Sequence, residues 1–288
     1  MLLLVLLCSV LFPAFAVAAD SPRQVQYQAE SLVPQNIVPT FDNGHVAVYG
    51  RDCVSVYAPD GTLAYRIPFP KKGDFVNVAV DTDRSAAAAV QYEGSKGGVS
   101  IFDPTGKQTR FLDTGDYSPS FVCFGPDHSI WVTGTQSGQS EFFILRQLSR
   151  EGKQLGAFLP RSSFEGHEEP AEPIIGVSGL RIAKDRVGMF LRRTRSRIWV
   201  ETDLGGREIG RWRAASGERP ATLTPTGAVY AQRAGEVVVL DRETGEWNPV
   251  AIPSEGHLIG AEGESLVFAV RGSPSLRWVP LPRPRDDR

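Results

Sequence analysis

The sequence predicts an all-β fold built from six repeats of four strands each. Three observations carry that prediction. Two series of turn motifs interleave along the chain, an apolar strand-like run follows each turn of the first series, and no stretch has convincing helical periodicity.

The first turn series is Asp42-Asn43-Gly44, Thr82-Asp83-Arg84, Pro126-Asp127-His128, Lys184-Asp185-Arg186, Pro225-Thr226-Gly227 and Glu262-Gly263-Glu264. The runs behind these turns include Val46-Ala47-Val48-Tyr49, Ile130-Trp131-Val132 and Leu266-Val267-Phe268. The second series is Pro59-Asp60-Gly61, Pro104-Thr105-Gly106, Arg150-Glu151-Gly152, Asp203-Leu204-Gly205 and Glu243-Thr244-Gly245. These are hairpin turns, in which glycine supplies the positive φ. Two turns in each repeat of roughly 40 residues imply four strands, the size of one propeller blade. The predicted fold is therefore a six-bladed β-propeller, forming one domain over 20–282.

The longest interval in both series spans Pro160 to Ile174, a polar, Pro-rich stretch read as an inserted loop. The Gly-rich pieces Gly94 to Gly98 and Gly134 to Gly138 also read as loops. The sixth repeat has only three strand-like runs before Pro280-Leu281-Pro282-Arg283-Pro284, which cannot donate regularly to a ladder. Gln24 to Ala29 is the candidate for the missing strand. An N-terminal strand there closes the ring and covers an exposed edge. Residues 283–288 read as a disordered tail.

Two stretches carry a family resemblance. Phe75-Val76-Asn77-Val78-Ala79-Val80-Asp81-Thr82-Asp83 and Phe121 to Val132 each place an apolar inner strand, an Asp-centred turn and a second apolar strand in order. They resemble the NHL-repeat and gluconolactonase-like six-bladed propellers. The gluconolactonase-like resemblance implies a metal site at the channel mouth, near the starts of the inner strands. Here those places fall on Asn36, Asp74, Tyr117, Arg219 and His257. Asn, Asp and His suit a metal; Arg219 adds positive charge where a metal site needs negative.

Composition narrows the classes further. A net charge of −2 gives no broad attraction to nucleic acid or anionic membrane. The uncharged run Leu2 to Leu11, followed by Pro13 and Ala16-Val17-Ala18-Ala19, reads as a signal peptide over 1–19. The expected location is secreted or periplasmic, with no membrane span in the mature chain; the alternative is an uncleaved anchor. Removing the signal leaves Cys53 and Cys123, in the third strand of blade one and the inner strand of blade three. Non-adjacent blades cannot share a disulfide, so both are expected as free, buried thiols.

The sequence contains no phosphate-binding Gly loop, Cys-x-x-Cys, His-Glu-x-x-His or Gly-x-Ser-x-Gly. No cofactor is implied beyond a Ca or Zn in the lactonase-like alternative. His45 and His128 read as exposed turn residues. His167, in the acidic Glu165-Gly166-His167-Glu168-Glu169, reads as part of a solvated loop. Residues 181–213 are rich in arginine, and Arg193, Arg195 and Arg197 form a candidate patch for an acidic partner or anionic glycan. The functional expectation is a binding or scaffold module, with a metal-dependent hydrolase as the alternative. The insertion-bearing face, where the inner strands begin, is the expected binding face.

Overall fold

The computed structural model describes residues 22–34, 37–92, 97–136, 138–139, 141–164, 174–183, 185–215, 222–253 and 256–282. Among the described residues twenty-four strands, β1 to β24 in chain order, form six four-stranded antiparallel sheets arranged as a propeller. Blades 1 to 5 occupy residues 40–68, 74–113, 117–160, 174–215 and 222–250. Blade 6 takes residues 256–280 and, as its outer strand, β1 (Arg23–Gln26). The innermost strands are β2 (Thr40–Asp42), β6 (Asp74–Val80), β10 (Tyr117–Phe124), β14 (Ile174–Ala183), β18 (Thr222–Leu223) and β22 (Gly256–Glu262).

Ring closure follows the sequence prediction. β1 pairs antiparallel with β24 (Ser275–Pro280), with Arg23 opposite Trp278 and Gln26 opposite Ser275. The Arg23 guanidinium stacks 4.3 Å from the Trp278 ring centre. Tyr27 and Leu32, just beyond β1, are buried between blades 6 and 1.

Burial explains the strand patterns. β7 (Ala86–Gln91) and β8 (Gly97–Phe102) lie inside a blade with a neighbouring blade on each side, so almost every residue is buried. Hence they lack the polar–apolar alternation of a strand with one wet face. The outer strand β9 (Gln108–Asp113) is exposed at every residue but Leu112. Among the described residues the buried side chains group into six clusters, one between each pair of adjacent blades.

The hairpin turns are held by the side chain that opens them, which the turn motifs of blades 2, 3 and 5 do not include. Asp103 Oδ1 accepts from Thr105 N at 2.9 Å and from Lys107 N at 3.1 Å, while Gly106 takes φ +83°. Asp203, Asp241 and Ser149 hold the corresponding turns of their blades the same way.

Three local readings change. Gly97 and Gly98 open β8, and Gly134 lies inside β11 (Ile130–Gln136), so these are strand residues and not loops. A Cβ at Gly134 would stand 2.2 Å from the Ser118 carbonyl oxygen, and this close approach is what requires glycine. His45 is buried, and its Nδ1–H donates to the Asn43 carbonyl, 3.0 Å away. Cys53 is half-buried while Cys123 is buried; both are free, in β4 (Cys53–Tyr57) and β10.

The insertion begins as a 3-10 turn, Arg161–Phe164, with Phe164 buried. Arg211 donates to the Ser163 carbonyl at 2.9 Å and stacks on the Phe164 ring, and Arg193 donates to the Phe164 carbonyl at 3.1 Å. Two cations thus meet the carbonyl end of the turn, where the backbone dipole is negative. No helix among the described residues is long and apolar enough to cross a membrane.

Candidate functional site

The inner strands all run the same way, so the channel they enclose has two distinct ends. At the entry face the inner strands begin and the insertion lies. At the hairpin face they end in the first turn series, with the second series nearby.

Each end holds a cavity. The larger, of about 550 Å3, opens at the hairpin face and is lined by the final residues of all six inner strands and their turns. The smaller, of about 210 Å3, lies toward the entry face against blades 1, 2, 3 and 6, with Ile37, Val76, Phe121 and His257 in its wall. Arg181 of β14 lines both.

Four charged residues line the larger cavity: Asp42, Asp81, Arg181 and Glu262. Two are already committed. Asp81 is almost fully buried and accepts from His128 Nδ1 at 2.8 Å and from Arg150. Arg150 also bonds Asp83 at 2.9 Å; burial pushes Asp83 up, but Arg150 and Ser85 outweigh it and hold its carboxyl at about 2. Glu262 Oε2 accepts from the Trp278 indole N–H at 2.6 Å.

Asp42 and Arg181 are different. Asp42 ends β2, and its Oδ2 is buried with no protein hydrogen-bond partner. Burial pushes its carboxyl up to about 6; the charge of Arg181 and the Val80 backbone pull it down. Arg181 Nε is likewise buried without a protein partner. Arg181 Nη1 and the Cys123 thiol both donate to the Leu180 carbonyl, at 2.8 and 3.2 Å. Burial raises the pKa of the Cys123 thiol, so it adds no negative charge. The arrangement is an open pair of opposite charges in a walled cavity with one polar atom of each unused.

Three of the predicted mouth residues are among the described residues, and they have different settings. Asp74 starts β6 and is exposed. Tyr117 starts β10 but is buried, its hydroxyl donating to the Ile144 carbonyl at 2.7 Å and its ring under the Arg146 guanidinium. His257 reaches the smaller cavity; Asp74 and Tyr117 line neither cavity. Asn36, Arg219 and His167 lie outside the described residues. Among the described residues no group of three His, Cys, Asp or Glu is placed to hold a metal.

The arginine patch is also divided. Arg193 is buried against the insertion, Arg197 is half-buried, and Arg195 is exposed on the turn between β15 (Arg186–Arg193) and β16 (Ser196–Asp203). Arg186, Arg207 and Arg211 pair with acids of their own blade.

No family model matches the chain, and no curated protein matches it. Solved structures do. A gluconolactonase from Xanthomonas campestris is 15% identical with TM-score 0.56, covering 91% of this chain and 90% of that one. A PQQ-bound aldose sugar dehydrogenase from Streptomyces coelicolor is 12% identical with TM-score 0.52, covering 89% and 96%. The Pan2 WD40 domain of Neurospora crassa is 13% identical with TM-score 0.52, covering 84% and 73%. At such identities the likeness is one of fold, and it places this chain among β-propellers similar in shape to proteins of unrelated activity.

Proposed function

We propose that the protein is a binding module whose ligand is a small polar molecule held in the central cavity at the hairpin face. The observation that carries this is a pair of opposite charges, Asp42 and Arg181, in the wall of a cavity of about 550 Å3, each with a buried polar atom that no protein group partners. Ligand sites are typically cavities of roughly 300–1,000 Å3 with a few converging polar groups. A buried polar atom without a partner costs free energy, and a ligand that supplies the partner recovers it. The run Leu2 to Leu11 and the small residues Ala16 to Ala19 support export of the protein to the periplasm or the outside.

Hydrogen exchange tests this reading. After a thermal-shift screen of small polar metabolites, a stabilising compound is expected to slow exchange at residues 42–44, 81–82 and 181–183. Protection confined to 71–74 and 193–197, on the entry face, would overturn it.

A further inference from the structure

We infer that the hairpin-face cavity takes a small zwitterion, an amino acid or short peptide, with its ammonium group on Asp42 and its carboxylate on Arg181. This rests on the reading that the cavity is the binding site.

Of the four charged residues in the wall, Asp81 and Glu262 are closed by their own partners. What remains is one acceptor, Asp42 Oδ2, and one donor, Arg181 Nε. They are near enough for Arg181 to lower the Asp42 pKa, yet neither atom closes on the other. A simple carboxylate satisfies Arg181 and confronts Asp42 with a like charge. A simple amine does the reverse. A polyol supplies hydrogen bonds but brings no formal charge to either group, and so forgoes the stronger ion-to-ion hydrogen bonds. A molecule bearing both charges satisfies both groups, and hydrogen bonds to ionised groups are the stronger kind.

Arg181 is also held for the task. Its Nη1 is fixed on the Leu180 carbonyl, and the Cys123 thiol takes the same oxygen. The guanidinium is thus anchored at one end with Nε left over. Phe41, Val80, Phe124 and Leu223 give the wall an apolar part that suits a short aliphatic side chain, beside the polar Asn43, Thr82 and Thr222.

Calorimetry on the full chain tests the inference. The probes are free L-amino acids taken singly, the dipeptide alanyl-alanine, its N-acetyl and C-amide forms, sorbitol and propionate. A zwitterion is expected to bind, with a loss of at least about tenfold when either of its charges is blocked. Asp42→Asn and Arg181→Gln are each expected to weaken it by a similar factor. Asp42→Asn keeps the shape of the site and removes a buried charge, so it carries the test if Arg181→Gln fails to fold. Sorbitol or propionate binding as tightly as any zwitterion, with loss on Arg181→Gln or Asp42→Asn, would overturn the zwitterion and leave the cavity reading standing. Zwitterion binding that neither substitution weakens would overturn the inference. Binding of none of these probes would overturn both.

Discussion

Arg242 of blade 5 grips the buried carboxylate of Glu201 in blade 4, its Nη2 donating to Oε1 at 2.7 Å and its Nε to Oε2 at 3.2 Å. Glu201 also accepts from the Trp199 indole at 2.7 Å and from Arg186 at 3.2 Å. One fully buried acid thus ties a strand, its neighbour and the next blade together.

Removing that acid is expected to be costly. Glu201→Ala removes the buried acceptor shared by Arg186, Arg242 and the Trp199 N–H, a loss of about 3–5 kcal/mol by analogy with other broken buried pairs. Glu208→Ala, in a half-exposed pair with Arg211, is expected to cost no more than about 1 kcal/mol. Urea unfolding of the two variants checks the contrast; similar midpoints would contradict the role given to Glu201.

Asp42 makes the fold pH-sensitive in a stated direction. Its folded value is about 6 against 3.8 in the unfolded chain. Between these values the folded state holds a proton the unfolded chain has released, so stability falls as pH rises through that window. Above it the ionised carboxylate costs roughly 1–3 kcal/mol. Asp42→Asn is therefore expected to stabilise the protein at neutral pH, with the gain fading toward pH of about 4. Melting curves across this range test it, and a variant less stable at neutral pH would contradict it.

Closure by β1 has its own test. A chain beginning at Leu32 loses the β1–β24 ladder, Tyr27 and the cover over Leu276 and Trp278. It is expected to lose several kcal/mol, a large part of a typical total of ~5–15. Equal denaturant midpoints for chains beginning at Asp20 and Leu32 would refute the closure.

The thiols report on the blades. Cys53, half-buried, is expected to react with a thiol reagent in the native protein. Cys123, buried and with its thiol pKa raised, is expected to stay silent until unfolding. Equal native rates, or a disulfide between them, would contradict the placement of the two strands.

Blades were legible because the turn chemistry repeats. Gly61, Gly106, Gly152 and Gly245 all take positive φ, as a turn glycine should. Closure was legible from a proline-rich end facing a spare strand. The site was not. β14 carries two β-bulges, between Ile174 and Gly176 and between Val177 and Gly179. Each bulge shifts the phase of alternation, so counting along the strand does not tell that Arg181 reaches the channel. In the sequence it groups with the blade-4 arginines instead. Asp42 reads as a turn residue because its motif, Asp42-Asn43-Gly44, is one. Tyr117 was correctly placed at a strand start, but nothing local marks the carbonyls of Val132 and Ile144 that draw its hydroxyl inward.

The central claim is that the hairpin end of the channel holds the ligand. The most direct measurement is a crystal structure of the protein grown with the tightest-binding probe. Electron density for that molecule is predicted in the 550 Å3 cavity, in contact with Asp42 and Arg181. Density at the entry face instead, beside Asp74, Arg195 or His257, would contradict the account.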